Sequence, residues 1–469
     1  MKRQRKIHYA WVVFLSCIFL KLGVGGVVYS IAGNFVTPVV NALGCTVSRF
    51  TMVVSIEAAA MALMYTTASK IMNKGRIGWV MGLASLAQVI GVALMGCYRT
   101  VEMFYISGAV IGIGVAFTGY VAIPMVVNMW FKKKTGTVLG IIIASENVAT
   151  ILYSLLTAEL IVRCGWRMTY LIIAVMALVL SVPAVFLFIK SPEEAGCRPY
   201  GEEEGIVRVS AAVTEWGLTK KEAVRNPVFY MAWFTCMLYS LGCGVQQYVA
   251  TFATMELGQT IAFGARAAMC VSLGCIVSSM VLGFINDRFG ARAGLGYGGL
   301  CILAGYGCML LSIRTPWLCI PAALIVGLGG SMYMVQCPLI ARTALGSRDY
   351  SSIWSLMMVG NSMIGAFGFS SIGLFYDIGG SYRGAFLMAI CLYTAAFVIG
   401  SAAIHMGKRL TLKKEKTLRR VEYKGGERSN EEERTFERAA HPGDCGDWTY
   451  ADNGDWRRGT SGSGGREGH

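Results

Sequence analysis

The pattern of the chain is clearest from Gly112 to Asn147, which reads GIGVAFTGYVAIPMVVNMWFKKKTGTVLGIIIASEN. An apolar, glycine-rich helix runs past Pro124, and a turn of three lysines separates it from a second apolar helix. A shorter relative, from Gly327 to Asn361, reads GLGGSMYMVQCPLIARTALGSRDYSSIWSLMMVGN. Both copies keep Gly-x-Gly, then a tyrosine, a proline and a short basic turn before the next apolar run. This repetition predicts a chain built as two similar halves.

The composition is that of a membrane protein. Of the 469 residues, 55% are hydrophobic and only 15% are charged, whereas about a quarter of a soluble domain is charged. Apolar runs of about 18 residues or more recur, and at about 1.5 Å per residue each can cross a hydrocarbon core of roughly 30 Å. The net charge of +15 comes largely from short basic turns between these runs, which indicates the positive-inside pattern and no nucleic-acid partner. The 15 cysteines predict neither a disulfide framework nor a zinc site.

We predict twelve membrane-spanning helices, called spans 1 to 12. The first six are Trp11–Val36, Arg49–Ser69, Ile77–Cys97, Met103–Phe131, Thr137–Ile161 and Met168–Ile189. The last six are Val228–Thr254, Ala265–Ile285, Ala293–Ile313, Trp317–Ala341, Ile353–Phe375 and Arg383–His405. Basic residues before span 1 favour a cytoplasmic amino terminus. A cleaved signal peptide is the weaker alternative, because the apolar run is long and lacks a small-residue cleavage site.

The spans fall into two six-helix halves, residues 1–189 and 227–406. A linker, residues 190–226, is rich in Pro, Gly and charge and lies in the cytoplasm by parity. Within it, Thr219-x-x-Glu222 has capping-box spacing and predicts a short surface helix that ends before Pro227. Residues 407–469 are polar and predict a disordered cytoplasmic tail. Both termini are therefore expected on the cytoplasmic side of the cytoplasmic (inner) membrane.

The halves match at further points. Leu43–Val47 corresponds to Leu257–Ile261, and Trp166–Leu171 corresponds to Tyr382–Leu387, in each case roughly 215 residues apart. Because each half contains an even number of spans, the two repeats keep the same orientation in the membrane. We therefore expect a solute to bind between them.

The loop after span 8 carries a family motif. From Gly283 to Arg292 it reads GFINDRFGAR and resembles the G-x-x-x-D-R-x-G-x-R loop of the major facilitator superfamily, where that family has it. The matching loop after span 2 keeps Lys74, Gly75 and Arg76 but has Asn73 in place of the acid. The Gly-x-Gly…Tyr…Pro…Trp-Phe-Lys-Lys-Lys-x-Gly run and the later Gly-Trp-Arg are similar, more narrowly, to the oxalate/formate exchanger and monocarboxylate transporter branch.

The resemblance covers roughly residues 8–406. It implies an all-α membrane protein of twelve transmembrane helices in two six-helix repeats, the major facilitator fold, and no enzyme activity or cofactor. It also implies a secondary active transporter that works by alternating access. We expect it to move a small organic solute, a mono- or dicarboxylate anion, together with protons or a counter-substrate. Efflux of amphipathic compounds and a transporter-like solute receptor are the alternatives. We expect a monomer in the lipid bilayer.

The sequence departs from that branch at the positions that bear on the solute. Transporters of the branch typically carry an arginine in span 8, one turn before the loop glycine, where this chain has Ser279. A dicarboxylate exchanger has a lysine in span 11 where this chain has Asn361. A carboxylate solute is therefore compatible with the sequence without being required by it.

The loop motif predicts a conformational latch. Asp287 can accept hydrogen bonds from a nearby helix start or pair with Arg292, while Gly283 permits close helix packing and Gly290 a tight turn. A plain positive-inside turn would explain Arg288 and Arg292 but neither the acid nor the glycine spacing. We therefore interpret the motif as a latch that holds one conformation.

Several polar residues inside the spans are candidates for solute binding. Tyr120 and Tyr333 occupy repeat-related positions, and a phenol offers an apolar wall and one hydrogen bond. A place in the interfacial aromatic belt is the alternative. The other candidates of this kind are Tyr29, Gln246, Tyr248 and Gln336.

Ionisable residues deep in the spans are the sharpest functional signal. Lys21 and Glu146 each lie roughly 15 Å from the membrane surface, near the midplane, and Glu57 lies at a comparable depth. We predict that Lys21 binds the anionic solute, and that Glu146 and Glu57 take part in coupling. A structural Lys–Glu pair, or a lysine that snorkels to the cytoplasm, is the alternative.

Overall fold

The computed structural model describes residues 8–27, 34–74, 76–201, 217–362, 364, 381–410, 448–450 and 456–458. The chain separates into two units, Met1–Arg409 and Leu410–His469. The described residues of the first unit form a helical bundle. The second unit contains two antiparallel strands, β1 (Trp448–Tyr450) and β2 (Trp456–Arg458), with Thr449 opposite Arg457. These strands were not predicted from the sequence.

The amino-terminal half is a series of apolar helices. They are Tyr9–Leu20, Val36–Leu43, Val47–Lys74, Ile77–Met95, Val101–Thr118, Ala122–Trp130 and Thr135–Phe188. The last of these contains both span 5 and span 6, and the kink between them lies at Gly165, whose backbone leaves helical geometry (φ 76°, ψ 162°). Glycine adopts a positive φ at little cost, so a single residue is enough to divide the two spans.

The carboxy-terminal half continues the pattern. Its helices are Lys220–Val224, Pro227–Val245, Val249–Met255, Ile261–Phe289, Ala291–Leu311, Cys319–Gly330, Cys337–Leu345, 350–362 and Arg383–Leu410. Among the described residues, nine helical stretches are long and apolar enough to cross a membrane, and one of these holds spans 5 and 6. The shorter apolar helix Tyr9–Gly25 and the described part of span 11 complete the twelve predicted spans.

The short linker helix forms as its sequence predicts. The Thr219 hydroxyl accepts a hydrogen bond from the backbone N–H of Glu222, and the Glu222 carboxylate accepts one from the backbone N–H of Thr219. The helix ends at Val224. Span 7 then begins at Pro227, with the Asn226 side chain accepting from the backbone of Val228 at 3.0 Å. Proline is well suited to the first turn because its missing N–H would have no helical partner there.

The packing of the bundle matches a bilayer environment. Large aromatic side chains such as Trp130, Trp354 and Tyr306 are almost completely buried between helices. Large aliphatic side chains cover the outside instead of polar ones, and Val162 and Leu63 have 85% and 74% of their surface exposed. Exposed apolar surface on this scale is unfavourable in water but is stable against hydrocarbon chains. The exposed faces of the spans therefore fit contact with lipid.

Candidate functional site

Spans 1, 4, 7 and 10 each leave regular α-helical geometry near their middle. Span 1 forms a π-helix at Lys21–Gly25, and span 10 forms another at Met332–Gln336. Span 4 is broken between Thr118 and Ala122, and span 7 contains a 3-10 turn at Gln246–Tyr248. Each is the first span of a three-span unit. Interrupted transmembrane helices expose backbone groups and commonly mark binding sites.

These interruptions contain six of the seven residues that the sequence singles out for solute binding. They are Lys21, Tyr120, Gln246, Tyr248, Tyr333 and Gln336. The seventh, Tyr29, lies outside the described residues. The sequence patterns that suggested the six residues did not predict the interruptions themselves.

Tyr120 and Tyr333 meet across the two halves. Their ring centroids lie 6.1 Å apart with an interplanar angle of 51°, and both residues are half-buried. The indole N–H of Trp354 donates to the backbone carbonyl of Tyr120 at 2.9 Å, which fixes the break in span 4 against span 11. The Tyr333 hydroxyl lies 3.9 Å from the sulfur of Met358, a weak acceptor. The repeat-related tyrosines therefore form one aromatic contact at the interface between the halves.

Gln336 is committed to a structural network in this conformation. Its amide nitrogen donates to the carbonyl of Ala291 at 2.6 Å, and its amide oxygen accepts from the side chain of Asn286 at 2.7 Å. The residue is fully buried. These two bonds tie span 10 to the turn between spans 8 and 9. Gln336 therefore does not face the tyrosine pair as a free hydrogen-bonding group.

Gln246 and Tyr248 lie on span 7 and have different surroundings. The Gln246 amide nitrogen lies 3.0 Å from the sulfur of Cys243, and a Cβ placed on Gly330 of span 10 would meet the Gln246 oxygen at 2.6 Å. Gln246 therefore packs against the interrupted segment of span 10. The ring of Tyr248 packs instead against Tyr382, 5.8 Å between centroids, just before span 12.

Lys21 and Glu146 form a buried ion pair. The ammonium of Lys21 donates to Glu146 Oε1 at 2.8 Å, and 5% and 7% of the two side chains are exposed. Span 5 supplies the acid, and the π-helix of span 1 supplies the lysine. A Cβ placed on Gly25 would lie 3.1 Å from the Lys21 side chain and 3.2 Å from the Glu146 carboxylate oxygen. The absence of a side chain at Gly25 therefore leaves room for the ion pair. Of the sequence-based alternatives, the pairing of Lys21 with Glu146 is what the structure contains.

The pair borders a cavity inside the amino-terminal half. The cavity is lined by Leu20, Lys21, Val24, Gly25, Gln88, Val115, Thr118, Gly119 and Glu146. Gln88 of span 3 donates to the Thr118 hydroxyl at 2.8 Å, at the point where span 4 breaks. Burying two charges is unfavourable unless they are paired, and removing one partner of such a pair typically costs about 3–5 kcal/mol. The burial of Lys21 and that of Glu146 therefore depend on each other.

Asp287 caps the start of span 5. Its carboxylate oxygens accept from the backbone N–H groups of Gly136 at 2.8 Å and Thr137 at 2.6 Å. The first N–H groups of a helix have no helical partner, and the helix dipole favours a negative charge there. Of the two partners predicted for Asp287, the helix start is the one that it contacts here.

Glycine lets spans 5 and 8 touch. A Cβ placed on Gly283 would lie 2.3 Å from the carbonyl oxygen of Gly136, and one on Gly140 would lie 2.1 Å from that of Ser279. Larger residues would force the two backbones apart. Gly290 has a different role, because its φ of 84° is unfavourable for other residues although the space around it is open.

The arginines of the motif are on the surface. Arg288 and Arg292 are exposed, and the guanidinium of Arg288 lies 5.5 Å from the centre of the Phe289 ring. A half-buried arginine, Arg342, contacts the other half, and the sequence reasoning missed it. Its guanidinium donates to the Thr135 hydroxyl at the start of span 5. The sequence feature that could have indicated Arg342 is the basic turn in the second copy of the repeat, which contains it.

The repeat-related contact between spans 2 and 11 is weaker. The Asn73 side chain donates to the hydroxyl of Ser351 at 2.7 Å, near the start of helix 350–362, and this contact is exposed. It occupies the place that Asp287 has at span 5, with one neutral hydrogen bond instead of two charged ones. These contacts, and that of Arg342, lie at the end with the basic turns, so the halves are closed at the predicted cytoplasmic end.

The family model named Major Facilitator Superfamily matches residues 17–269 and 255–432 of the chain. The chain belongs to the major facilitator superfamily. This membership confirms the predicted fold class and the prediction that the protein is a transporter and not an enzyme. The oxalate/formate and monocarboxylate branch stays a prediction.

Relatives and solved structures agree with the family. The uncharacterized MFS-type transporter YhjX of Escherichia coli (strain K12) is 20% identical over 309 residues, which cover 64% of this chain and 72% of YhjX. The probable transporter MCH2 of Saccharomyces cerevisiae is 23% identical over 218 residues, 46% of this chain and 43% of MCH2.

Two symporters share the fold. The E. coli fucose:proton symporter FucP has a TM-score of 0.62 at 14% identity and covers 84% of this chain and 99% of its own. The proton:xylose symporter XylE, bound to 6-bromo-6-deoxy-D-glucose, has a TM-score of 0.63 at 13% identity and covers 84% of this chain and 96% of its own. At these identities the likeness shows the major facilitator fold and does not identify the solute.

Proposed function

We propose that this major facilitator protein carries a small organic solute across the membrane by alternating access, with the solute held beside the Tyr120–Tyr333 contact. The observation that supports this proposal is that residues from both halves meet there, 6.1 Å between ring centroids, where spans 4 and 10 are interrupted. A site shared by two halves is released when they rock apart. In this proposal the tyrosine pair becomes accessible from the other side of the membrane while the predicted cytoplasmic end is closed.

The tyrosine pair suits a solute with both polar and apolar parts. Each phenol offers an aromatic face and one hydroxyl that donates or accepts a hydrogen bond. In this conformation the Tyr333 hydroxyl donates to a weakly accepting methionine sulfur, that of Met358, and also contacts the Ser240 side chain. A solute hydroxyl or carboxylate offers a better acceptor. Binding then replaces a poor hydrogen bond by a good one.

The Lys21–Glu146 pair is the proposed coupling element. While the pair is formed at 2.8 Å, Lys21 has no free charge for an anion. A proton delivered to Glu146 removes the negative charge and frees the ammonium for the carboxylate of a solute, so proton and solute move together. That FucP and XylE are proton symporters supports the proton as the coupled ion.

The carboxylate stays the proposed solute class, since Lys21 supplies a cation near the midplane, and a buried carboxylate needs such a partner. The test is uptake by proteoliposomes that contain the purified protein, against a panel of mono- and dicarboxylates and neutral sugars, with and without an inward proton gradient. We expect concentrative uptake of a carboxylate driven by the gradient. Binding without flux would indicate a receptor, and gradient-driven uptake of sugars alone would refute the carboxylate assignment.

We also propose that both termini and the linker lie in the cytoplasm. The basic turns support this orientation, since lysine and arginine are concentrated in cytoplasmic loops. The described ends of the linker contact the same end of the bundle as those turns. The backbone N–H of Lys132 donates to the carbonyl of Tyr200 at 3.0 Å, and that of Leu218 donates to the carbonyl of Leu345 at 2.9 Å.

A further inference from the structure

A second cavity lies in the amino-terminal half, separate from the Lys21–Glu146 cavity. It is lined by Val36, Phe50, Thr51, Val53, Val54, Glu57, Met95, Phe104, Ile111 and Tyr170. None of these residues lines the first cavity. The lining comes from spans 2, 3, 4 and 6 together with the end of span 1, so the proposed solute site does not account for it.

Glu57 brings an uncompensated carboxylate to this cavity. Among the residues that the structure describes, its carboxylate has no hydrogen-bond or salt-bridge partner. The backbone at Glu57 is held firmly, since a Cβ on Gly112 of span 4 would lie 2.2 Å from the Glu57 carbonyl oxygen. Arg49, a cation on the same helix, pairs instead with Glu102. The cavity therefore has one carboxyl group that no described cation contacts.

Tyr170 supplies a second polar group without a partner. Its side chain is fully buried, and its hydroxyl makes no hydrogen bond within the described part of the chain. The phenol ring is fixed by stacking on Phe35, 4.0 Å between centroids. A buried hydroxyl without a partner is unfavourable, so the Tyr170 hydroxyl is available for a hydrogen bond with a ligand in this cavity.

The remaining wall is aromatic. Phe104 lies 5.4 Å from Phe50 in an edge-to-face arrangement and 6.4 Å from Tyr170. The faces of aromatic rings attract cations, and quaternary ammonium ligands are recognised by such rings. One carboxylate within an aromatic wall is thus complementary to a single positive charge on an apolar body.

Other ligand classes fit less well. A hard metal cation needs about six oxygen ligands, whereas apolar side chains dominate this lining. The described residues contain no cluster of three or more His, Cys, Asp or Glu that could hold a metal ion. An anion would meet the charge of Glu57 with no described cation beside it.

We propose that the Glu57 cavity binds an organic monocation, an ammonium group attached to an apolar body. Glu57 supplies the opposite charge, Phe50 and Phe104 supply ring faces, and the Tyr170 hydroxyl accepts a hydrogen bond when the ammonium carries a proton. The site is distinct from the proposed solute site and does not depend on transport.

The test is equilibrium binding of radiolabelled benzyltrimethylammonium to the purified full-length protein in lipid nanodiscs. We expect saturable binding, weakened roughly tenfold or more by Glu57→Gln. Neopentylbenzene, the uncharged carbon analogue, should not displace the cation. The matched control is Glu102→Gln, which removes one negative charge from an exposed acid of the same half and should leave binding unchanged.

Tyr170→Phe distinguishes specific binding in this cavity from general electrostatic attraction of cations to the protein. Loss of the hydroxyl should weaken binding of benzylammonium, which can donate a hydrogen bond, and leave benzyltrimethylammonium binding within about twofold. Equal binding by the wild-type protein and Glu57→Gln would refute the proposal, and so would equal losses in Glu57→Gln and Glu102→Gln. Lys21→Gln should retain cation binding, so failure of the transport proposal can be told apart from failure of this one.

Discussion

The carboxylate of Asp287 in span 8 accepts from the backbone N–H of Gly136 at 2.8 Å and so joins the carboxy-terminal half to the first turn of span 5. Asp287→Asn removes the charge that the helix start favours, and hydrogen bonds to charged groups are worth about 1.5–3 kcal/mol. We expect slower turnover, with solute affinity within a few-fold of wild type, because the residue lies away from the tyrosine pair. Loss of solute binding by a correctly folded variant would contradict this role.

Asn73 offers the reciprocal change. Its single hydrogen bond to Ser351, 2.7 Å long, occupies the place that Asp287 has in the other half. Asn73→Asp places a negative charge near the start of helix 350–362, where the helix dipole favours it by about 0.3–1 kcal/mol. We expect a larger population closed at the cytoplasmic end, measured by distances between spin labels on the two halves. An unchanged or smaller closed population would show that the two loops are not equivalent.

Gly140 tests the close packing of spans 5 and 8. A methyl group there would lie 2.1 Å from the carbonyl oxygen of Ser279, so Gly140→Ala should separate the cytoplasmic ends and lower the thermal stability of the closed form by about 1–3 kcal/mol. The control is Gly299→Ala in span 9, where a Cβ meets nothing within 4 Å. The control should behave as wild type in thermal unfolding and transport. Equal behaviour of the two variants would contradict the packing argument.

The buried pair predicts a double-mutant cycle. Lys21→Gln and Glu146→Gln each leave one unpaired charge, so each should destabilise the protein by about 3–5 kcal/mol, whereas the double variant should recover much of that loss. Lys21→Arg keeps the charge and should only weaken carboxylate transport. Thermal unfolding of the four proteins in one detergent gives the coupling energy. Additive losses in the double variant would mean that the two residues do not stabilise each other.

The topology is testable without transport. An epitope inserted within residues 190–226 should be detected by antibody only after permeabilisation of cells, because the linker is expected in the cytoplasm. A second epitope, inserted at the turn after Gly258 between spans 7 and 8, is the control and should be detected on intact cells. Detection of the linker epitope on intact cells would reverse the proposed orientation.

Much of the fold is visible in the sequence because a membrane requires long apolar helices. The capping box at Thr219 and Glu222 is also local, and both of its hydrogen bonds form. The repeat relates Tyr120 and Tyr333 on opposite halves, although their contact was not predicted from the sequence. For Asp287 the sequence left two partners open, a helix start or Arg292, and the structure contains the first.

Other features depend on packing that sequence spacing does not encode. Both the interior of a membrane bundle and its lipid-facing surface are apolar, so the hydrophobic periodicity of a span does not show which side chains face inwards. It could not show that Gln336 points towards Asn286 and Ala291. The contact of Arg342 with Thr135 joins residues 207 positions apart and needs the arrangement of the halves. The π-helices at Lys21 and Met332 arise from helix packing and have no sequence signature in this chain.

The most direct test of coupled transport is carboxylate uptake into proteoliposomes under an imposed inward proton gradient, compared between wild type, Lys21→Gln and Glu146→Gln. We predict concentrative uptake by wild type, none by Lys21→Gln, and in Glu146→Gln at most downhill movement that the proton gradient no longer drives. Uptake by Lys21→Gln at the wild-type rate, or gradient-driven accumulation by Glu146→Gln, would contradict coupling through the Lys21–Glu146 pair.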